Sequence, residues 1–228
     1  MLELTFGTWR FTLERTSPTQ PELVQLYDRV AAHWPNAVQR LGYDQAYAHL
    51  FARLQREQRL QLPQAAKVLD CGIGTGALSL ALGQVAGGSL QLHGVDISPQ
   101  MLRIASDLFK QANIAAQLDC RDTHQLPYEA HHFDLVMCAH MVEHMPDPAV
   151  GLAEMARVLR PGAPMLVIVT ANSLFDTLLR FKYRHAHLCP AQIADWMRAA
   201  GLQDVRFYEI QAGSLWRQGK SIACWGLK

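Results

Sequence analysis

The stretch AHMVEHMPDP, residues 139 to 148, sets two histidines and a glutamate in the order His140-x-x-Glu143-His144. In that spacing two imidazoles can grip a zinc ion while the carboxylate activates its water, provided a helix brings both rings to one face, one turn apart. A second set of reactive groups stands upstream. Asp70, Asp96 and Asp122 sit at the ends of apolar runs, and the first of them leads into Cys71-Gly72-Ile73-Gly74-Thr75-Gly76. Three carboxylates and a glycine loop suit a ligand that offers several hydrogen-bond donors. The two readings need different local structure, so the elements that carry these residues decide between them.

Those elements follow from periodicity. Residues 2 to 14 alternate around Gly7-Thr8 and predict a small hairpin. SPTQP, residues 17 to 21, is a break. From Glu22 to about Leu60, Leu23, Leu26, Tyr27, Val30 and Trp34, then Tyr43, Tyr47, Leu50 and Leu54, recur at helical spacing and predict two packing helices. Strands are then expected at 67–72, 90–96, 114–122, 133–139, 164–170, 204–210 and 221–228, with helices at 76–85, 98–112, 148–159 and 191–201. Ser98 is placed to cap the second of these helices, with Pro99 at its first position. Strict strand–helix alternation predicts an α/β fold with a doubly wound, mostly parallel seven-stranded sheet. The last two strands follow each other without a helix, so the sheet should end in an antiparallel hairpin. Residues 1–60 would form a hairpin and helical cap, and residues 61–228 the α/β domain. In this scheme a buried strand, FDLVMCA, runs straight into the histidine motif. Pro146 and Pro148 follow at once and end any helix there within a turn. No metal site is expected.

In such sheets a ligand lies beyond the carboxyl ends of the strands. Gly72-x-Gly74-x-x-Ala77, with Asp96 some twenty residues on, fits a nicotinamide-dinucleotide fingerprint; glycines can also serve only to make a tight turn. Asp70 and Asp122 favour a different ligand. A dinucleotide brings a pyrophosphate, which an acid directly before the loop repels. S-adenosylmethionine (SAM) carries an ammonium and no phosphate. Its amino group suits Asp70, its carboxylate the amides near Thr75–Ala77, its ribose Asp96 and its adenine amine Asp122. As a strand-end carboxylate, Asp96 is expected to serve the ligand and to support no core.

VLDCGIGTG, GVDISPQML, CRDTHQLPYEAHHFDLV, HMVEHMPDP and LAEMARVLRPGA, in this order between Lys67 and Val169, resemble the successive motifs of the Rossmann-like, class I SAM-dependent methyltransferases. The resemblance is to the small-molecule branch that includes ubiquinone and menaquinone methyltransferases. It implies SAM as cofactor, with Asp70, Gly72, Gly74 and Gly76 in the loop, Asp96 at the ribose and Asp122 at the adenine. It also implies that Cys71, Thr75, Ile97, Met101, Thr123 and Cys138 border the same site. Gly162-Ala163 stands where the family often has Gly-Gly, and residues 1 to 60 match no motif. Glu143-His144 matches a pair common in the family beside the transferable methyl. His140, then His144, are candidates for a base that takes the acceptor's proton, or for packing around the cofactor. His33, Tyr27 and Tyr43 are candidates for the pocket wall. His131-His132 and His185-x-His187 are expected to be solvated.

The whole composition fits this class. Half of the 228 residues are apolar and 18% are charged, enough for a large core. A net charge of +1 gives no electrostatic footprint for nucleic acid, and the expected partner is a small-molecule acceptor. Five cysteines without a C-x-x-C fit a reducing cytoplasm. No apolar run is long enough to span a membrane, which leaves attachment to a membrane surface open. Residues 171 to 190 combine Leu174, Leu178 and Phe181 with Arg180, Lys182, Arg184 and two histidines; they would suit a lid over an aromatic or lipid-like acceptor with an acidic group. An oxidoreductase on the same sheet and a SAM-binding protein without catalysis stay as alternatives, and O-, N- and C-methylation are equally open.

Overall fold

The computed structural model describes residues 2–6, 9–13, 19–86, 89–171, 188–213 and 219–228. The predicted hairpin is present: β1 (Leu2–Phe6) pairs antiparallel with β2 (Trp9–Leu13). The region expected to give two helices gives three, α1 (Gln20–Val30), α2 (Trp34–Arg40) and α3 (Tyr43–Arg56), with a 3-10 turn at Ala31–His33. Two local signals outweigh the apolar period. Pro35 can sit only in the first turn of a helix, so a new helix starts at Trp34. Gly42 adopts φ 73° and breaks α2 from α3.

The α/β part is a seven-stranded sheet of β3 (Ala66–Cys71), β4 (Leu90–Asp96), β5 (Ala116–Cys120), β6 (Leu135–Ala139), β7 (Pro164–Thr170), β8 (Gln203–Ala212) and β9 (Gly219–Leu227). Its spatial order is β5-β4-β3-β6-β7-β9-β8. β3 is parallel to both β4 and β6, and the chain winds outward from this pair in opposite directions, which opens a crevice at their carboxyl ends. β9 inserts antiparallel between β7 and β8, giving the expected terminal hairpin with the later strand inside. The intervening helices are α4 (Ala77–Ala86), α5 (Pro99–Gln111), α6 (Pro148–Val158) and α7 (Pro190–Ala199). Ser98 caps α5 as expected, its Oγ accepting from the Met101 amide at 3.1 Å.

Strand alternation divides the core into two layers. Leu166 and Ile168 of β7 join Phe51, Leu54, Leu82 and Phe109 under α3, α4 and α5. Met165, Val167 and Val169 join Leu152, Met155, Ile193 and Met197 under α6 and α7. Side chains on successive strand positions point to opposite faces, so one run of apolar residues feeds both.

The alternation is not strict. β5 passes to β6 through residues 121–134 without a helix. Aromatic edges cover the sheet there: His93 of β4 stands 5.6 Å from the Tyr128 ring and 5.3 Å from Phe133, and His132 stacks on Tyr128 at 18°. His132, expected to be solvated, is therefore a packing residue, whereas His131 is exposed. His185 and His187, and almost all of the 171–190 segment expected as a lid, lie outside the described residues. Among the described residues no helix is long and apolar enough to cross a membrane.

His93 makes this region acid-sensitive. Its Nδ1 is buried with no hydrogen-bond partner among the described residues, and burial, the nearby His132 and Lys67 hold its pKa below the usual histidine value. The folded chain keeps His93 neutral while the unfolded chain takes up a proton below about pH 6.5, so stability present above that pH is lost as the pH falls. His93→Phe should lose less stability than the parent between pH 7.5 and pH 5.5, measured by urea unfolding at both. An equal loss would place the acid sensitivity elsewhere.

Candidate active site

The loop after β3 is fastened to β4 from above. The Ile73 amide donates to the Val95 carbonyl at 3.0 Å, and the Gly74 amide to Asp96 Oδ2 at 2.8 Å. Gly74 has φ 54°, and a Cβ there would meet nothing within 4 Å, so its open side faces the cleft. Gly76 has φ 87° and its own constraint: a Cβ would come within 2.5 Å of the Phe109 ring.

Asp96 does more than the sequence reading assigned to it. Its Oδ1 accepts from the Ser98 amide at 2.8 Å while Oδ2 holds Gly74, so one carboxylate clamps the loop to the entry of α5. A carboxylate has about four acceptor positions, which leaves two for a ligand. Asp70 is 1% exposed, and Ser79 of α4 donates to its Oδ2 at 2.6 Å. Burial pushes its carboxyl up to about 7; the Ser79 hydroxyl opposes this and the charge of Asp96 adds to it. Asp122 accepts from the amide and ring of His124 at 2.9 and 2.6 Å, and from Gln20 Nε2 at 3.0 Å.

Gln20 belongs to α1, which lies across the strand ends. Gln20, Leu23 and Tyr27, at helical positions i, i+3 and i+7, all line one cavity of about 330 Å³, a size typical of small-molecule sites. The Tyr27 hydroxyl bonds His144 Nε2 at 2.9 Å. Asp28 accepts from Ser98 Oγ at 2.6 Å and from the Gln100 amide at 3.3 Å.

The histidine motif closes the far end. It forms a single 3-10 turn, Val142–His144, after His140 in a left-handed conformation with φ 55°. A non-glycine residue in that region is strained and persists where its surroundings fix it. Here the His140 amide donates to the Ile168 carbonyl at 2.8 Å, and Nδ1 meets Thr170 Oγ1 at 3.1 Å. Glu143, 4% exposed, accepts from the Thr170 amide at 2.6 Å and lies 4.0 Å from His140. The Tyr43 ring stands edge-on to His140 at 5.3 Å, its hydroxyl 3.1 Å from Ser221 Oγ. The two imidazoles are thus held by different elements, Thr170 for one and Tyr27 for the other, not one turn apart on a helix.

Of the residues singled out in the sequence, Asp70, Gly72, Gly74, Thr75, Asp96, Ile97, Met101, Asp122, Thr123, His140 and His144 line this cavity, with Tyr27 and Tyr43. Cys71 and Cys138 do not: as register partners one position from Asp70 they point into the layer under α6 and α7. Gly76 is likewise behind the wall, against Phe109, and His33 is exposed. Glu143, matched in sequence to the pair beside the transferable methyl, lines it too; Trp34, Val38, Leu41, Tyr47 and Thr170 do so without having been singled out for it. Tyr47 and Trp34 carried only a helical period, which reports burial and not what the buried face meets.

Asp96→Ala removes two hydrogen bonds to a charged group, each worth about 1.5–3 kcal/mol before the chain relaxes. The ligand-free protein should melt roughly 5–10 °C lower in calorimetry. An unchanged midpoint would mean that the loop and α5 hold their places without the clamp.

Comparison with known proteins agrees with the geometry. The methyltransferase-domain family matches residues 68–162. The ubiquinone/menaquinone biosynthesis C-methyltransferase UbiE of Bordetella avium is 32% identical over 173 residues, 64% of this chain and 68% of that one. The ubiquinone biosynthesis O-methyltransferase of Coxiella burnetii is 29% identical over 161 residues, 64% and 67% of the two chains. In fold, the magnesium protoporphyrin IX methyltransferase of Synechocystis, solved with bound S-adenosylhomocysteine, superposes with a TM-score of 0.72 over 92% of this chain and all of that one, at 18% identity. The protein belongs to the class I methyltransferases, enzymes that take a methyl group from SAM, and resembles within them the small-molecule branch of the ubiquinone and menaquinone enzymes.

Proposed function

We propose that the protein methylates a neutral, largely apolar aromatic acceptor bearing a hydroxyl, of quinol or phenol type. The observation that carries this is the wall of the chamber beyond Asp70. Leu23, Trp34, Val38, Leu41, Tyr43 and Met145 form it, and among the described lining residues the cationic one, Arg121, stands beside Asp122 at the opposite end. Among the described residues a carboxylate or phosphate on the acceptor would meet no Lys or Arg there; the basic groups of residues 171 to 190 lie almost wholly outside them. The names of the relatives, ubiquinone and menaquinone methyltransferases for oxygen and for carbon, support the same acceptor class.

The residues fit the donor. A buried carboxyl with no cation beside it among the described residues suits the ammonium, at Asp70; the remaining acceptor positions of Asp96 suit the ribose diol; Asp122 suits the adenine amine; Gly72, Gly74, Thr75, Ile97, Met101 and Thr123 complete the enclosure. Bound SAM supplies an activated methyl. The chain's task is to align the acceptor with it, which in well-oriented pairs is worth roughly 7–11 kcal/mol. His140, backed by Thr170 and Glu143, is the base in this reading, and His144, tied to Tyr27, is second. Five free cysteines and a net charge of +1 support a cytoplasmic enzyme without a nucleic-acid partner.

Two measurements test this. S-adenosylhomocysteine should stabilise the chain by roughly 2.7 kcal/mol at a hundred times its dissociation constant, and NAD should not. With methyl-labelled SAM, alkylated hydroquinones and catechols should accept label while benzoates and amines do not, and His140→Ala should cut turnover about 10²–10⁴-fold with SAM binding unchanged. Transfer to the charged acceptors alone would overturn the acceptor class.

A further inference from the structure

Ser79 is an odd residue for its position. It is 2% exposed on the inner face of α4, where Leu78, Ala81 and Leu82 are the neighbouring buried residues. A hydroxyl in such an interface costs stability unless it is bonded. Its partner is Asp70 Oδ2, at 2.6 Å, the length of a bond strengthened by a full charge. Elsewhere around Asp70 the titratable groups are Asp96 of β4, Tyr47 of α3 with Glu143 beyond it, Cys71 beside it on β3 and Cys138 on β6. None of these is a cation. Among the described residues, then, the charged form of Asp70 is supported by one hydroxyl and opposed by its surroundings.

We propose that Ser79 is a positioning residue for the cofactor: its hydroxyl holds the Asp70 carboxylate in the ionised form and orientation that receive the ammonium of SAM. This rests on the assignment of Asp70 to the ammonium made above. An ammonium gains little from a neutral carboxylic acid, so below the pKa of Asp70 the cofactor must displace a proton to bind. Burial puts that point near neutrality, at about 7, with the hydroxyl pulling it down. Removing the hydroxyl moves the point upward, and binding at neutral pH weakens although no contact to the ligand itself is lost.

The test compares S-adenosylhomocysteine with 5′-methylthioadenosine, which keeps the adenosine and lacks the ammonium, by calorimetric titration between about pH 5.5 and pH 8. In the parent, affinity for S-adenosylhomocysteine should rise about tenfold per pH unit and level off above about pH 7. In Ser79→Ala it should be at least tenfold weaker at pH 7 and still rising at pH 8, while methylthioadenosine binds as before. Ser79→Thr should restore the parent curve, and Ser79→Cys, a weaker donor of similar size, should fall between and serve if Ser79→Ala does not fold. Equal losses for both ligands, or an unmoved pH curve, would overturn the proposal. Asp70→Asn separates the two levels. If it weakens S-adenosylhomocysteine selectively while Ser79→Ala does not, only the role of Ser79 fails; if it leaves that affinity intact, the assignment of Asp70 fails first.

Discussion

A carboxyl group buried at the end of β3, with one hydroxyl bonded to it and a second carboxylate nearby, limits what the cleft can accept. Its own folding environment disfavours its charge, which in the proposed reading an entering cation restores. The geometry around it follows from the sheet. β3 and β6 part their connections in opposite directions, and the opening between them is where Asp70, the glycine loop and the histidine turn converge. A phosphate-rich ligand would meet like charge at the mouth of the loop. In the proposed reading an amino-acid ammonium meets a carboxyl that has one hydroxyl and, among the described residues, no cation beside it.

In the proposed reading the two substrates are met by different parts of the chain. The donor half is built from consecutive strand ends inside the stretch that matches the methyltransferase family. The acceptor half is built largely from α1, α2 and the start of α3, which precede it, closed by Thr170 and the histidine turn. α1 belongs to both halves. One face of this helix reaches Asp122 with Gln20 and His144 with Tyr27, and Asp28 ties it to the cap of α5. A single helix therefore ties the Asp122 end of the cavity to its His144 end.

Most of the sheet was legible because its signals are local. The strand over 90–96 and the strand over 164–170 coincide with their expected bounds, and Ser98-Pro99 starts α5 by side-chain chemistry that needs no tertiary context. The loop glycines and the three acids read correctly as neighbours because α/β topology gathers strand ends. What stayed hidden depends on distance along the chain or on parity. Gln20 and Asp122 are 102 residues apart, and Tyr27 and His144 are 117 apart; no local pattern carries such pairs. Cys71 and Cys138 were assigned to the site as strand-end residues, yet one step along a strand turns a side chain to the other face. The second clamp of Asp96 was hidden because a carboxylate's backbone partners leave no trace in composition.

The place of β9 bears on how the molecule comes to be folded. It follows β8 in the chain but lies inside it, hydrogen-bonded to β7 on one side and β8 on the other. Until residues 219–227 arrive, β7 presents an open edge, and β7 is Pro164–Thr170, buried along nearly its whole length in the finished fold. Pairings of this kind close long loops before they return any stability, which slows the last step of assembly. A nascent or truncated chain would carry an apolar strand edge ready to pair with another copy. The architecture that protects its centre most completely in the native state is thus the one that exposes it longest on the way there.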